Sequence, residues 1–178
     1  MYTTITKFKI PSILEDILKD LQKIGATPIL VGGCVRDYFL NIPVKDYDVE
    51  IFGIDCFQTI EKSLQKFGSV KLVGKSFGVL TLRVNKYDFD FALPRTETKI
   101  GLSHQDFEVI TNASLSFKEA AIRRDFTINA IGYDFFKEEF IDPFDGIEDL
   151  KTKTIKHIND KTFIEDSLRV YRGIGFAS

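Results

Sequence analysis

Apolar residues recur every three or four positions between residues 13 and 24, which is the spacing of one buried face of an amphipathic helix. Ser12 is placed to cap this helix after Pro11, and Gly25 is placed to end it. The next apolar run, residues 28–31, is short and stops at two glycines. It therefore predicts a buried strand that ends in a sharp turn.

The pattern that follows alternates between helix and strand and then becomes a meander. A second helix is expected to begin near Cys34 and to end before Pro43, because the residue before a proline is disfavoured in a helix. This order of elements favours an α/β or α+β domain with a mixed sheet over a doubly wound parallel sheet. The remaining predicted elements are a strand at 48–52, a helix at 57–67, and strands at 70–73, 79–84 and 87–93.

The pattern is weaker after Pro94. Residues 95–116 are polar and irregular, which predicts a mobile loop. The last predicted helix begins near Asp160 and reaches the final residue without a stop signal, which is typical of a truncated chain. Between the loop and this helix, the sequence predicts a helix at 117–129, a hairpin of 131–136 with 139–141, a turn at 142–146 and a strand at 154–158.

Composition limits the possible partners. The 178 residues are 44% hydrophobic, which suffices for one full core, and the formal net charge of -2 means that a nucleic-acid partner would need a local basic patch. Cys34 and Cys56 form neither a disulfide framework nor a zinc pattern, so both are predicted to be buried thiols. Because no apolar run has the length of a membrane span, we expect a cytoplasmic protein without a membrane partner.

Gly32 and Gly33 come directly before the second helix. Glycine lets the backbone turn tightly and approach a ligand, and a helix N-terminus offers free amide donors to an anion. Arg36 lies in the first turn, where its guanidinium could bind a phosphate. The alternative is a tight strand-to-helix turn with a surface arginine, because the pair lacks the other residues of a dinucleotide fingerprint or a P-loop.

Asp46 and Asp48 occupy alternate positions of a predicted strand and therefore point to the same side. Two carboxylates this close repel each other, and a divalent cation such as Mg²⁺ would compensate them. Asp90 is the better candidate for a third ligand because it lies within an apolar strand, although Asp88 is on the same face and stays open. A solvated turn is the alternative reading of Asp46 and Asp48, but together with the glycine turn these acids indicate metal-dependent nucleotidyl transfer.

Asp166 and Arg169 are three residues apart, so a continuous helix would place them on one face, with Arg172 one turn further. Cytosine and adenine each present an amino donor beside a ring-nitrogen acceptor, which an aspartate and an arginine can match. Guanine and uracil present the opposite arrangement and would be rejected. The alternative is an ion pair of Arg169 with Glu165, which would contribute only about 0.3 to 0.5 kcal/mol.

Six motifs occur in an order that resembles one known family. Together they resemble the head and neck motifs of class II tRNA nucleotidyltransferases, the CCA-adding enzymes, and of the related bacterial poly(A) polymerases, over residues 28–177. The motifs are Gly32-Gly33-x-Val35-Arg36-Asp37, Lys45-Asp46-x-Asp48, Arg95-Thr96-Glu97, Arg123-Arg124-Asp125-Phe126-Thr127-Ile128-Asn129-Ala130, Asp142-Pro143-Phe144-Asp145-Gly146 and Glu165-Asp166-x-x-Arg169-x-x-Arg172.

The resemblance implies an α+β fold, with a nucleotidyltransferase-type mixed β-sheet flanked by helices. Residues 1–150 would form the catalytic head, and residues 151–178 the start of a helical neck that recognises the nucleotide. Asp125 would accept the ribose 2′-hydroxyl, although it could instead tie down a helix. The implied roles are triphosphate binding by Gly32, Gly33 and Arg36, metal binding by Asp46 and Asp48, and ribose and phosphate contacts by Arg123, Arg124, Asp125 and Asn129.

The resemblance also implies an activity. An RNA 3′-hydroxyl, with tRNA as the acceptor, would attack the α-phosphate of CTP or ATP in the presence of Mg²⁺ and release pyrophosphate, without a template. A poly(A) polymerase, or an enzyme that adds only CC or only A, stays open as an alternative. So does a nucleotide-binding module that has no polymerase activity in this form. The sequence does not indicate an oligomeric state.

Overall fold

The structure is a computed structural model that describes residues 8–73, 78–99 and 107–177. The strands of this part of the chain form a seven-stranded sheet and a separate two-stranded sheet. In chain order they are β1 (Thr27–Val31), β2 (Tyr47–Phe52), β3 (Ser69–Val73), β4 (Val79–Val84), β5 (Tyr87–Ala92), β6 (Arg95–Lys99), β7 (Phe107–Thr111), β8 (Gly132–Asp134) and β9 (Glu139–Ile141).

The larger sheet has the strand order β3-β4-β5-β2-β1-β8-β9. β2 and β5 pair in parallel, whereas its other neighbouring strands pair antiparallel. The predicted mixed sheet and α+β class are confirmed. Helices flank the sheet, and those of the described residues are α1 (Ser12–Lys23), α2 (Gly33–Phe39), α3 (Phe57–Leu64), α4 (Phe117–Ala121), α5 (Gly146–Lys151), α6 (Asp160–Glu165) and α7 (Leu168–Ala177).

The apolar face of α1 is buried in the main core, as its three-and-four spacing predicts. Leu14, Leu18 and Leu21 are fully buried there, in one cluster with residues of β2, α3, β4 and β5. Gly25 ends the helix with a φ of +91°, a conformation that glycine adopts without strain. The prediction that Ser12 caps the helix is wrong, because Pro11 occupies the cap and Ser12 is the first helical residue.

The loop predicted at residues 95–116 is wrong at residues 95–99 and 107–111, which are strands, whereas residues 112–116 belong to no helix or strand. β6 and β7 form an antiparallel pair in which Arg95 lies opposite Thr111. The sequence of β6 is uniformly polar and therefore carries no hydrophobic alternation, which is the signal for a strand. Residues 100–106, between the two strands, lie outside the described residues.

The helix predicted at 117–129 ends early. α4 stops at Ala121, and Phe126 is extended and forms an isolated bridge with His157 before a single 3₁₀ turn at Thr127–Asn129. That bridge is also what the structure shows of the strand predicted at 154–158. α5 was not predicted. Its first two amides, of Gly146 and Ile147, donate to the Asp142 carboxylate, both at 2.8 Å.

The continuous helix predicted from Asp160 to the end is wrong. The backbone leaves the helical region at Asp166, with φ −128° and ψ 104°, and the Asp166 carboxylate accepts the Leu168 amide at 3.0 Å. This local turn separates α6 from α7, because an aspartate side chain can replace a helical backbone acceptor. Asp166 and Arg169 therefore do not share the face of one uninterrupted helix.

The two cysteines differ in their exposure. Cys34 is buried as predicted, but Cys56 is exposed, because it precedes α3 at the surface and its sulfur accepts the Thr59 hydroxyl at 3.0 Å. Among the described residues, no helix combines the length and the apolar character needed to cross a membrane.

Candidate active site

The parallel pairing of β2 with β5 places Asp48 directly opposite Asp90. On the other side of Asp90, the Thr81 hydroxyl of β4 donates to its carboxylate at 2.5 Å. Asp88 is instead bound by both Nε and Nη2 of Arg83, at 2.7 and 2.8 Å. Of the two acids on β5, Asp90 is the one that faces Asp48.

The environment of Asp48 disfavours its ionised form. Burial raises the pKa of this carboxyl, and the negative charges of Asp90, Asp46 and Glu50 raise it further, while Arg124 lowers it. Asp48 nevertheless keeps a surface open to solvent. A cation that reached this surface would relieve the repulsion among the carboxylates.

The carboxylates of Asp48 and Asp90 suit a hard cation whose remaining coordination positions are filled by a bound ligand. Within the described ranges, no group of three or more His, Cys, Asp or Glu side chains is arranged to hold a metal ion by itself. Mg²⁺ in proteins is commonly held by one or two carboxylates and completes its shell with substrate phosphates and water. Asp48 and Asp90 fit this kind of site, and the assignment of Asp46, Asp48 and Asp90 as a three-residue metal site stays a prediction.

The glycine turn lies against the carboxylates. Gly32 has a φ of +73°, and a Cβ at this position would lie 3.3 Å from Arg124 Nη1 and 3.4 Å from Asp48 Oδ2. The positive φ therefore favours glycine, and an added Cβ would also press against the ends of the Arg124 and Asp48 side chains. Beneath the turn, the Cys34 thiol donates to the Val31 carbonyl at 3.2 Å, and burial raises its pKa to about 12, so this residue is a neutral packing group.

A pocket of about 400 Å³ opens beside the turn, and we name it the glycine-turn pocket. Arg36 lines it, but its guanidinium is engaged. Nε and Nη2 donate to Asp37 Oδ1 at 2.9 and 2.7 Å, and Nη1 donates to Asn129 Oδ1 at 2.8 Å. These bonds use three of the five N–H donors of Arg36, so two remain for a phosphate. The pocket is lined by Gly33, Cys34, Arg36, Asp37, Ile42, Pro43, Lys45, Asp46 and Asp48.

Glu50 is a central residue of the site that our sequence reasoning missed. It is 1% exposed, and it accepts Arg123 Nη2 at 3.1 Å and Arg124 Nη2 at 3.2 Å. Burial works to raise the pKa of Glu50, but the two guanidinium charges outweigh it and hold the pKa below its ordinary value. The sequence does contain a signal for Glu50. Like Asp90, it is an acid inside an apolar strand.

Asp125 joins the site to the last helix. It is 7% exposed, and it accepts the Phe126 amide at 2.8 Å, Asn129 Nδ2 at 3.0 Å and Arg172 Nε at 2.7 Å. Burial works to raise its pKa, but the hydrogen bonds from Asn129 and Arg172 more than compensate and lower it. The structure thus has Asp125 tying down a helix, and its contact with a ribose stays a prediction.

Arg169 forms a second link between α7 and the segment that contains Asp125. It is 8% exposed, and its Nη2 donates to the Arg123 carbonyl at 2.7 Å, while Nη1 approaches the Arg124 carbonyl at 3.4 Å. The predicted base-reading pair of Asp166 and Arg169 is therefore not assembled in this structure. Asp166 caps α7, and Arg169 holds α7 against the backbone of Arg123 and Arg124.

Most of the chain matches one protein-family model. The model of the poly(A) polymerase head domain matches residues 29–156, a span that holds the glycine turn, the facing aspartates and the paired arginines. The chain belongs to the poly(A) polymerase head-domain family. The resemblance stated from the six motifs is confirmed.

Relatives of this head domain are known both as sequences and as structures. The multifunctional CCA protein of Mannheimia succiniciproducens is 42% identical over 149 residues, which are 84% of this chain and 33% of that protein. The structure of the Bacillus stearothermophilus CCA-adding enzyme in complex with CTP has a TM-score of 0.75 at 27% identity and covers 96% of this chain and 40% of its own. The Thermotoga maritima CCA-adding enzyme complexed with tRNA-CCA has a TM-score of 0.73 at 26% identity, over 96% of this chain and 38% of its own. The chain thus spans about a third of the length of the curated relative that it matches.

Proposed function

We propose that this head domain carries the catalytic centre of a template-independent RNA nucleotidyltransferase that adds C and A to the 3′ end of tRNA. The observation that carries the proposal is Asp48 facing Asp90 across parallel strands, with Gly32 so near that an added Cβ would lie 3.4 Å from Asp48 Oδ2. The relatives support the substrate class, since one solved enzyme is described as bound to CTP and another as bound to tRNA-CCA.

In the proposed reaction, the 3′-hydroxyl oxygen of the acceptor forms a bond to the α-phosphorus of CTP or ATP. The bond from that phosphorus to the oxygen that bridges to the β-phosphate breaks, pyrophosphate leaves, and the hydroxyl proton passes to solvent. Asp46, Asp48 and Asp90 would hold Mg²⁺, which when bound supplies charge neutralisation and a more acidic hydroxyl. The chain itself would position the reactants, with Gly32 and Gly33 admitting the phosphates and Arg36 binding them.

The choice of base is the second part of the proposal. We infer that Asp166 and Arg169 read cytosine and adenine, as the donor and acceptor patterns of these bases predict. In this structure, Arg169 is 8% exposed and two of its five N–H groups donate to backbone carbonyls, so base reading would use its remaining donors and would need the nucleotide to reach them. Asp166→Ala and Arg169→Ala variants that still exclude GTP and UTP would contradict this part alone.

A poly(A) polymerase is the second candidate. It is favoured by one observation, the match of the chain to the poly(A) polymerase head-domain model. The two candidates differ in their products, because a CCA-adding enzyme stops after three nucleotides and a polymerase continues with A.

The deciding experiment offers the protein a tRNA that lacks CCA, with each labelled nucleotide supplied separately and together. We expect incorporation of C and then A, and loss of incorporation in Asp48→Asn. Asp88→Asn is the matched control, because it removes an acid from the same face of β5 that is already paired with Arg83. Long A tails on unrelated RNA would support the polymerase, and full activity of Asp48→Asn would refute the proposed centre.

A further inference from the structure

Strand β4 presents two different partners to the two acids of β5. In the antiparallel register, Arg83 lies opposite Asp88, and Thr81 lies opposite Asp90. Arg83 binds both carboxylate oxygens of Asp88 through charged donors. Thr81 instead donates one neutral hydroxyl to Oδ1 of Asp90, at 2.5 Å. The two acids therefore lie on the same strand but differ in the charge of the group that holds them.

The charge of the partner decides what each carboxylate can still bind. A guanidinium bonded to both oxygens balances the negative charge of Asp88 and occupies the positions that a cation would use. A threonine hydroxyl has a single O–H donor and carries no charge. Asp90 therefore keeps its negative charge and its second oxygen, Oδ2, while its first oxygen is held. This combination suits a metal ligand.

The strand order places Thr81 behind Asp90 as seen from Asp48. The three residues lie opposite one another on the neighbouring strands β4, β5 and β2, with Asp90 in the middle. The hydroxyl thus holds Asp90 from the side of the sheet away from Asp48. Any effect of Thr81 on a cation shared by the two aspartates would be exerted through Asp90.

The core of the protein fixes the position of the Thr81 hydroxyl. Leu80 and Leu82, the neighbours of Thr81 in β4, are 1% and 0% exposed and pack on the opposite face of the sheet. A slip of one residue would turn both leucines out of the core, so burial sets the register that brings Thr81 opposite Asp90. Threonine is also branched at Cβ, which restricts the rotation of its side chain.

We propose that Thr81 is a positioning residue of the metal site, whose hydroxyl fixes the rotation of the Asp90 carboxylate and leaves Oδ2 for the cation shared with Asp48. The inference rests on the proposed function, which requires that cation. Hydrogen-bond partners that orient metal ligands commonly change metal affinity or activity by 10- to 100-fold. If Thr81 were only a cross-strand pair, its loss would lower stability and leave metal affinity unchanged.

The test measures metal binding without turnover. The protein is titrated with Mn²⁺ in the absence of nucleotide and RNA, and free Mn²⁺ is followed by electron paramagnetic resonance. We expect Thr81→Val to raise the Kd for Mn²⁺ about tenfold, equivalent to about 1.4 kcal/mol. Thr81→Ser should stay within about threefold of the wild type, because it keeps the hydroxyl. Asp48→Asn identifies the part of the binding that belongs to this site.

Thr127→Val is the matched control. The Thr127 hydroxyl also donates to an aspartate, Asp149 Oδ2, at 2.6 Å, but Thr127 lies in the 3₁₀ turn outside the sheet. We expect this variant to bind Mn²⁺ as the wild type does, and urea unfolding of both valine variants compares their losses of stability. Wild-type Mn²⁺ affinity in Thr81→Val would overturn the inference. An equal loss of affinity in Thr127→Val would also overturn it, because the effect would then come from general loosening of the fold.

Failure of the inference can be told apart from failure of the proposed function. The wild type would incorporate no CMP into tRNA if the function were wrong, whereas the Mn²⁺ titration needs no turnover and still reads the role of Thr81. In an active enzyme, CMP incorporation by Thr81→Val should be slow at low Mg²⁺ and should recover as Mg²⁺ is raised. A rate reduced by the same factor at every Mg²⁺ concentration would contradict a role in metal binding.

Discussion

Each acidic side chain of the site takes its character from the residue opposite it. Asp88 faces Arg83 and forms a two-pronged exposed ion pair, whereas Asp90, two residues further, faces Asp48 and a threonine hydroxyl. Glu50 faces two guanidinium groups in the interior. Acidic residues of this site therefore serve as a surface ion-pair partner, a candidate metal ligand and a buried partner of two arginines.

The glycine turn permits a prediction at this scale. Gly32→Ala would combine a strained backbone with a Cβ packed between Arg124 Nη1 and Asp48 Oδ2. We expect a loss of about 1 to 3 kcal/mol in the free energy of unfolding and a weaker affinity for CTP, measured by urea unfolding and by titration. Gly25→Ala is the control, because it has a positive φ of +91° but no atom within 4 Å of the added Cβ. Gly25→Ala should be destabilised without a change in CTP affinity, and equal affinity losses in both variants would contradict the role of the turn.

At the scale of elements, α7 is held to the sheet domain by polar contacts. Arg169 donates to the carbonyls of Arg123 and Arg124. Arg172 binds Asp125, and Asn129 links Asp125 to Arg36 of α2. This chain of bonds runs from the last helix to the helix after the glycine turn. The bonds thus connect α7 to the arginine that lines the glycine-turn pocket.

Asp125→Asn tests this link through its pH dependence. We expect the variant to lose about 1 to 3 kcal/mol of unfolding free energy at pH 7, because Arg172 loses a charged acceptor. The pKa of Asp125 is lowered from 3.8 in the folded protein, so its stabilisation is present above that value and is lost as the pH falls through the lowered pKa. The difference between wild type and variant, measured by urea unfolding, should therefore shrink below about pH 4.

The control for this prediction is Asp160→Asn. Asp160 contacts His157, but its side chain is 94% exposed, so its removal should cost no more than about 1 kcal/mol. A gap between the wild type and Asp125→Asn that stays constant from pH 7 to pH 3 would argue against an ionised Asp125 bonded to Arg172.

At the scale of the whole molecule, the negative charges crowded around Asp48 predict a cost in stability that a bound cation would relieve. Burial and three like charges raise the pKa of Asp48, so its ionised form is unfavourable in the folded state. We expect Asp48→Asn to be more stable than the wild type in the presence of a chelator, measured by urea unfolding at pH 7, by less than about 1 kcal/mol because solvent screens the exposed part of Asp48. Added Mg²⁺ should raise the stability of the wild type and leave the variant unchanged.

Asp88→Asn again provides the comparison, because it removes a paired acid and should bring no gain in stability. If Asp48→Asn were less stable than the wild type without metal, the charge crowding inferred for the site would be wrong.

The sequence predicted the parts of the fold that depend on local periodicity. α1 and the strands of the main sheet carry clear hydrophobic patterns, and the glycine turn and facing aspartates follow from residue chemistry. β6, α5 and the break at Asp166 were not predicted, because they depend on polar pairing and on side-chain caps that leave no apolar period. The bonds of Glu50 to Arg123 and Arg124, of Arg36 to Asn129 and of Asp125 to Arg172 join residues far apart in sequence, so no local signal could identify them.

The parallel pairing of β2 and β5 has a consequence for how the candidate site assembles during folding. Parallel neighbours cannot be joined by a tight hairpin, and here α3, β3 and β4 lie between them. Contacts of large sequence separation require closing a long loop and form slowly compared with local hairpins. Asp48 and Asp90 therefore meet only when this long-range pairing forms. Under the proposed function, a nascent chain with its hairpins complete would still be chemically inert, and the appearance of activity during refolding would report the closure of the sheet.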